Sequence, residues 1–242
     1  METTAILEKI KACDDQYLSL FCTKGREWGL FVYQDRLLPE LPEHNFLRIP
    51  DHILAGRLRG LCDVARNTAN ATGRSFLRIE LSQPLHFTNA LSEHYGRYYL
   101  NDEAGLKNEL PSDLSYLVVD SEEAVNKHFD FEVENAADQA LARRKAERFS
   151  SVYLADNGLT CWLCACGDKI VGKGELFVCG NTAKIANIAS SEDGSDAVSE
   201  QLISFLARQG KKMGAELIYT YSENDIAGFT KLDDTYSVQW QF

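Results

Sequence analysis

The 242-residue chain has no proline after Pro111 and no histidine after His128. It also has no apolar run approaching the roughly 20 residues that a membrane-spanning helix requires. The opening stretch, METTAILEKIKACDDQYL, lacks the uninterrupted apolar segment of a secretion signal. The expected location is therefore the cytoplasm, with no membrane partner. Positive charge is scarce as well: 25 lysines and arginines face 36 acids, for a net charge of -11. The deficit is concentrated late, with 13 basic against 15 acidic residues before position 112 and 12 against 21 from there on. A nucleic-acid-binding surface needs the opposite sign, so nucleic acid is not an expected partner.

Seven cysteines occur, an odd number that favours reduced thiols over a disulfide framework. Three of them, Cys161, Cys164 and Cys166, sit in CWLCAC. Zinc commonly takes four ligands from paired knuckles, and here neither a second C-x-x-C nor a later histidine completes the set. The segment alternates as a strand does, which puts Cys161 on one face and Cys164 with Cys166 on the other. No metal is expected.

All five prolines and all five histidines fall before residue 129, after which strands and helices alternate compactly. This predicts an N-terminal α/β domain over 1–128 and a second domain over 129–242. In the first, the pattern predicts a helix over 3–14, then strands at YLSLFC and WGLFVYQ around a Lys-Gly-Arg turn. A helix in PDHILAGRLRGLCDVARNTA, a strand at SFLRIELS, a short helix at FTNALSEHYG and a strand at LSYLVVDS follow. The second domain begins with a helix in NAADQALARRKAERFSS, capped by Asn135. VYLA is expected as a strand, and strands LTCWLCAC, IVGKGELFVC and AKIANIAS follow, joined by tight turns. After them come an amphipathic helix, the strand AELIYTYSEN, a short helix DIAGFTKL and the terminal strand TYSVQWQF. The fold class is α/β with a mixed sheet, in which antiparallel hairpins lead into one parallel crossover from 183–190 to 215–223.

That crossover contains NIASSEDGSDAVSEQ, a strand, a polar turn and a helix start. The first amides of a helix lack internal partners and form a cradle for anions. Yet the turn carries Glu192, Asp193 and Asp196 and no cation. Capping accounts for the acids without a ligand: Ser195 suits the N-cap, and Asp196 and Glu200 each favour the helix dipole by about 0.3–1 kcal/mol.

Two stretches, VGKGELFVCGNTAKIANIAS and AVSEQLISFLARQGKKMGAELIYTYSENDIA, resemble the GCN5-related N-acetyltransferases, the GNAT family. The resemblance covers roughly residues 130–242, and it leaves the first half open as a diverged second copy, as in two-domain bacterial members. It implies acetyl-CoA as donor and direct transfer to a small-molecule or peptide amine. The backbone of Ile188, Ala189 and Ser190 would meet the pantetheine arm. The family's pyrophosphate turn, R-x-x-G-x-G or R-x-x-G-x-A, falls on Gly194, Ser195, Asp196, Ala197, Val198 and Ser199. Gly194 stands in the arginine position, Ala197 and Ser199 stand in the glycine positions, and Asp196 replaces a commonly basic residue. Each acid within 4 Å of the coenzyme's phosphates costs on the order of 1 kcal/mol in water.

The resemblance also implies a general base at Glu175. Where the family often has a proton-donating tyrosine this chain has Phe229, which cannot donate. Tyr221 is the expected substitute, with Tyr219 and Tyr236 as alternatives. The expected function is an N-acetyltransferase with a degenerate cofactor motif. The alternative is a non-catalytic module that binds a protein or another small ligand. A homodimer is left open.

Overall fold

The computed structural model describes residues 3–27, 29–50, 53, 55–71, 73–106, 114–191 and 196–242. Helix α1 (Thr3–Ser19) opens the chain, with Ile6, Ile10, Cys13 and Tyr17 buried at helical spacing. Strands β1 (Thr23–Glu27), β2 (Leu30–Gln34) and β3 (Phe46–Arg48) follow, then helix α2 (Ala55–Ala71). Next come β4 (Phe76–Leu81), β5 (Leu91–Leu100) and β6 (Leu114–Val118). Helices α3 (Glu122–Glu134) and α4 (Gln139–Tyr153) lead to β7 (Leu159–Cys166), β8 (Lys169–Cys179) and β9 (Thr182–Ser190). Helix α5 (Asp196–Lys212), β10 (Leu217–Ser222) and β11 (Phe229–Gln241) complete the order.

The chain divides into two compact units, Met1–Leu20 with Tyr98–Leu232, and Phe21–Arg97 with Asp233–Phe242. This differs from the expected division at residues 128 and 129. Helix α1 packs on β8 and β9, far along the chain, and so joins the later unit. The end of β11 runs antiparallel to β4, from Tyr236↔Leu81 to Gln241↔Phe76, and so joins the earlier one. Both pairings are long-range, and local composition carries no trace of them.

In the unit Phe21–Arg97 with Asp233–Phe242, β1 pairs antiparallel with β2, and β2 antiparallel with β3. Strand β3 then pairs parallel with β4 across the α2 crossover. Leu58, Cys62, Ala65 and Ala69 form the buried stripe of α2. They pack on Leu30, Val32, Leu47, Ile79, Val238 and Trp240.

The other unit repeats these senses. Strand β7 pairs antiparallel with β8, β8 antiparallel with β9, and β9 parallel with β10 across α5, while β6 flanks β7. Leu176, Ala183, Ile185, Leu206, Ala207 and Ile218 form its main core. The shared order of three antiparallel-paired strands, a helix and a parallel strand makes the two units structural copies of one arrangement.

The sequence VGKGE sets the layering around β8. A Cβ on Gly172 would lie 2.9 Å from both Leu202 and Val198, and one on Gly174 would lie 2.8 Å from Leu206. The two glycines therefore let α5 lie close against β8. Lys173 and Glu175, on the opposite face by strand alternation, reach Glu132 of α3 and Tyr153 of α4.

Several local expectations differ from the structure, and VYLA, expected as a strand, is instead the end of α4 and the turn that follows it. YLSLFC is mainly the end of α1, because the buried stripe continues through Tyr17 and Leu18. Lys24, Gly25 and Arg26 lie within β1, and the positive φ that a tight turn needs falls at Gly29 instead. FTNALSEHYG forms no helix: only FTNA is irregular, and LSEHYG is the start of β5, where the Ser237 hydroxyl donates to Glu93 across 3.1 Å. Asn135 closes α3 as its C-cap, and Asp138 caps α4 by accepting from the amides of Ala140 and Leu141. The helix expected in DIAGFTKL is not formed, since β11 begins at Phe229.

Candidate functional site

Strand β9 is irregular where the resemblance calls for cofactor contacts. Its register with β8 runs Gly172↔Ser190 and Lys173↔Ala189, then resumes at Glu175↔Ala186. Asn187 and Ile188 therefore stand against Gly174 alone, which defines a β-bulge. Asn187 has φ of 47°, in the left-handed region that asparagine enters more readily than most residues. On the other side, β9 pairs with β10 only from Thr182↔Leu217 to Lys184↔Tyr219 among the described residues. The Thr220 hydroxyl donates to the Ile185 carbonyl at 3.0 Å, and beyond that link the two strands part.

The bulge is held by Glu175. Its carboxylate has no exposed surface and accepts hydrogen bonds from the Tyr17 hydroxyl at 2.7 Å and the Asn187 amide at 2.9 Å. The Tyr153 hydroxyl donates to it as well. Burial, and then the neighbouring carboxylate, hold Tyr153 well above the ordinary tyrosine pKa. The Asn187 amide also reaches the Tyr17 hydroxyl, at 3.1 Å.

A second carboxylate organises the adjoining strands. Asp14 of α1 accepts from Lys184 at 2.7 Å, Tyr219 at 2.9 Å and Tyr221 at 2.5 Å. The Lys184 ammonium also lies 4.5 Å from the centre of the Tyr17 ring and 5.3 Å from that of Tyr221. Burial, and then Asp14, keep Tyr219 well above its usual pKa. Helix α1 is thus tied by polar groups to β8, β9 and β10.

A third cluster lies between α3, α4 and β8. Glu132 contacts Lys173 directly, with Lys145 at 3.7 Å and His128 at 3.9 Å. Burial alone would raise the Glu132 pKa, but Lys173 and Lys145 outweigh it and the net shift is downward. Burial alone would lower Lys173, and Glu132 reverses that. His128 is pushed down to about 4 by burial and then by Lys173.

The expected site residues are distributed around this geometry. Ile188, Ala189 and Ser190 form the bulged end of β9, with Ile188 against Gly174. Asp196, Ala197, Val198 and Ser199 begin α5, while Gly194 and Ser195 lie outside the described residues, as do Glu192 and Asp193. Ser191, just past β9, is 6% exposed, and among the described residues its hydroxyl has no hydrogen-bond partner. Glu175 joins the bulge through Asn187, and Tyr221 joins Asp14. Tyr236 lies on β11 in the other unit, stacked on His94 at 5.0 Å. Cys161 packs beside Tyr153 and Lys173, whereas Cys164 packs against Leu202, so those two do occupy opposite faces.

Sequence reasoning missed Asp14, Tyr17, Lys184 and Asn187. One signal was present: Asp14 falls four residues after Ile10 and three before Tyr17, on the apolar stripe of α1. An acid on such a stripe requires a buried partner.

No protein-family model matches the sequence, and no curated protein matches it. Solved structures do. A functionally unknown conserved protein from Staphylococcus epidermidis is 13% identical with a TM-score of 0.67, covering 91% of this chain and 94% of its own. A GCN5-related N-acetyltransferase from Kribbella flavida is 11% identical with a TM-score of 0.66, covering 96% and 94%. A tandem GNAT protein from the clavulanic acid biosynthesis pathway is 15% identical with a TM-score of 0.53, covering 89% and 81%. Together with the repeated strand–helix–strand order, these likenesses establish that the chain has the fold of the GCN5-related N-acetyltransferases.

Proposed function

We propose that the unit Met1–Leu20 with Tyr98–Leu232 binds an acyl-coenzyme A thioester and transfers the acyl group, acetyl in the simplest case, to a small-molecule or peptide amine. The supporting observation is the bulge at Asn187, beyond which β9 parts from β10. A regular ladder would close that edge of Ile188, Ala189 and Ser190 with hydrogen bonds. Here the edge is available to an amide-bearing arm, and the buried Ser191 hydroxyl beside it lacks a partner among the described residues. The bound thioester would supply the activated acyl carbon. Tyr221, half-buried at the end of β10, is assigned the proton for the departing sulfur. Glu175, without exposed surface, holds Asn187 and the bulge as a positioning residue.

The phosphate end fits less well. Asp196 is the first residue of α5, so anion binding there would rest on backbone amides of the turn and of Ala197 to Ser199. This favours weak binding and supports a second reading, in which the module has lost catalysis and binds a different ligand or a protein.

Calorimetric titration of the full chain with acetyl-CoA tests the proposal, using the wild type and Asp196→Lys. Reversing that charge should tighten binding by roughly tenfold. If neither protein binds at about 1 mM acetyl-CoA, the enzyme reading is overturned and the second stands.

A further inference from the structure

The unit Phe21–Arg97 with Asp233–Phe242 carries a cavity that the acyl-transfer reading does not use. It encloses about 360 Å³, within the range of small-molecule sites, which begins at about 300 Å³. Its origin is a notch in the strand ladder. Strand β3 has 3 residues, whereas β2 has 5 and β4 has 6. The first residue of β3, Phe46, stands opposite Tyr33 on one side and Arg78 on the other. Gln34, Phe76 and Leu77 consequently have no β3 residue beside them. Their opposite edges are paired, Gln34 with Thr23, Phe76 with Gln241 and Leu77 with Trp240.

The notch is kept open by its own turn. Asp35 is buried and engaged by His44 at 3.1 Å and by the Leu37 amide at 3.0 Å. The Asn45 side chain donates to the Leu38 and Leu41 carbonyls and accepts from the Asp35 amide. These groups are fully occupied in shaping the turn. The cavity wall is otherwise aromatic and cationic. The Tyr33 and Phe46 rings are buried, stacked at 4.6 Å with the Arg48 guanidinium against both, and Phe76 is the half-buried ring of the wall. Arg36 and Arg74 also line the cavity, both exposed, and among the described residues neither guanidinium has a hydrogen-bond or ion-pair partner.

We propose that this notch binds a small planar aromatic anion, its ring against Phe76 and its carboxylate or phosphate between Arg36 and Arg74. The half-buried Phe76 ring favours a flat apolar body, and two arginines offer paired donors to an oxyanion. The open edge of β4 at Phe76 adds its own backbone hydrogen-bonding groups, since the amide and carbonyl of even-numbered β4 residues face the β3 side. Asp35 also lines the cavity, and the two arginines must outweigh its carboxylate, which is held in the turn by His44 and the Leu37 amide.

The test is a titration of the full chain, followed by nuclear magnetic resonance, with phenyl phosphate and benzoate as probes. Benzyl alcohol, benzamidine and inorganic phosphate serve as controls. One or both anionic probes should saturate at about 1 mM or below, with every control at least about tenfold weaker. A preference between the two probes distinguishes a phosphate-bearing ligand from a carboxylate-bearing one. The double variant Arg36→Ala/Arg74→Ala should weaken the preferred probe by at least about tenfold while leaving the unfolding temperature unchanged, since both side chains are exposed. The proposal fails if neither probe saturates below about 10 mM. It also fails if inorganic phosphate binds as well as phenyl phosphate, or if the double variant binds the probes as tightly as the wild type.

Discussion

Tyr221 and Asp14, 207 residues apart in sequence, meet hydroxyl to carboxylate at 2.5 Å. The contact places α1 against the strand end where β9 and β10 part, so the first helix is a structural part of the later unit. Asp14 gathers a lysine and two tyrosines on one buried carboxylate.

Removing that carboxylate leaves the half-buried Lys184 without its anion. Asp14→Asn should therefore destabilise the chain by about 3 kcal/mol, read by urea unfolding. Tyr221→Phe deletes a single hydrogen bond to a charged group and should cost about 1–2 kcal/mol. If the Asp14 contact is an ion pair with Lys184, adding Lys184→Met to Asp14→Asn should recover a large part of the loss. Full additivity of the two substitutions would contradict that account.

Glu175 accepts from three donors at once. Glutamine offers one acceptor oxygen and introduces an NH₂ that must itself be satisfied. Glu175→Gln should cost about 1–3 kcal/mol and disturb the bulge, seen as a shift of the Asn187 side-chain amide resonance. A variant as stable as the wild type would show that the carboxylate is not what holds the bulge.

His128 gives the folded state a defined pH response. The unfolded chain takes up this proton near pH 6.5, while the folded chain does so only near pH 4. Between those values the unfolded state binds more protons, so stability falls as the medium is acidified through that window. The loss on reaching pH 4 is on the order of 3 kcal/mol for this group. Glu132, Lys173 and Lys145 surround it. The depressed pKa of Glu132 preserves its own contribution until lower pH. His128→Leu should flatten the stability profile between pH 4 and 6.5, and an unchanged slope would assign the effect to another group.

Two glycines with positive φ separate strain from crowding. Gly158, at φ 82°, would place a Cβ 2.5 Å from the Val178 carbonyl oxygen, while Gly167, at φ 59°, has nothing within 4 Å. Gly167→Ala should cost about 1 kcal/mol from backbone strain alone. Gly158→Ala forces backbone to move as well and should cost about twice that or more, measured by thermal unfolding.

Most strands of the later unit were legible because their side chains alternate and glycine turns bound them, as in IVGKGELFVC between GDK and GNT. The crossover helix was legible from its apolar stripe through Leu202 and Leu206. The reach of α1, the bulge at Asn187 and the Asp14 cluster were not, since each depends on partners more than a hundred residues away or on a single backbone angle. The helix expected in DIAGFTKL failed for a related reason: helical spacing over eight residues is weak, and pairing claimed Phe229 onward for β11. The notch beside β3 had no sequence signature, because it arises from the unequal lengths of three strands.

The partnership of β4 with the end of β11 sets a constraint on synthesis. Domains commonly fold as they leave the ribosome, amino-terminal part first. Here the strand that covers β4 on one side, Tyr236 to Gln241, is translated long after β4 itself. Until it emerges, Phe76 to Leu81 presents an open, largely apolar edge to its surroundings. A nascent chain stalled shortly before residue 236 would therefore carry an aggregation-prone strand, and premature termination there would be far more damaging than loss of ten surface residues.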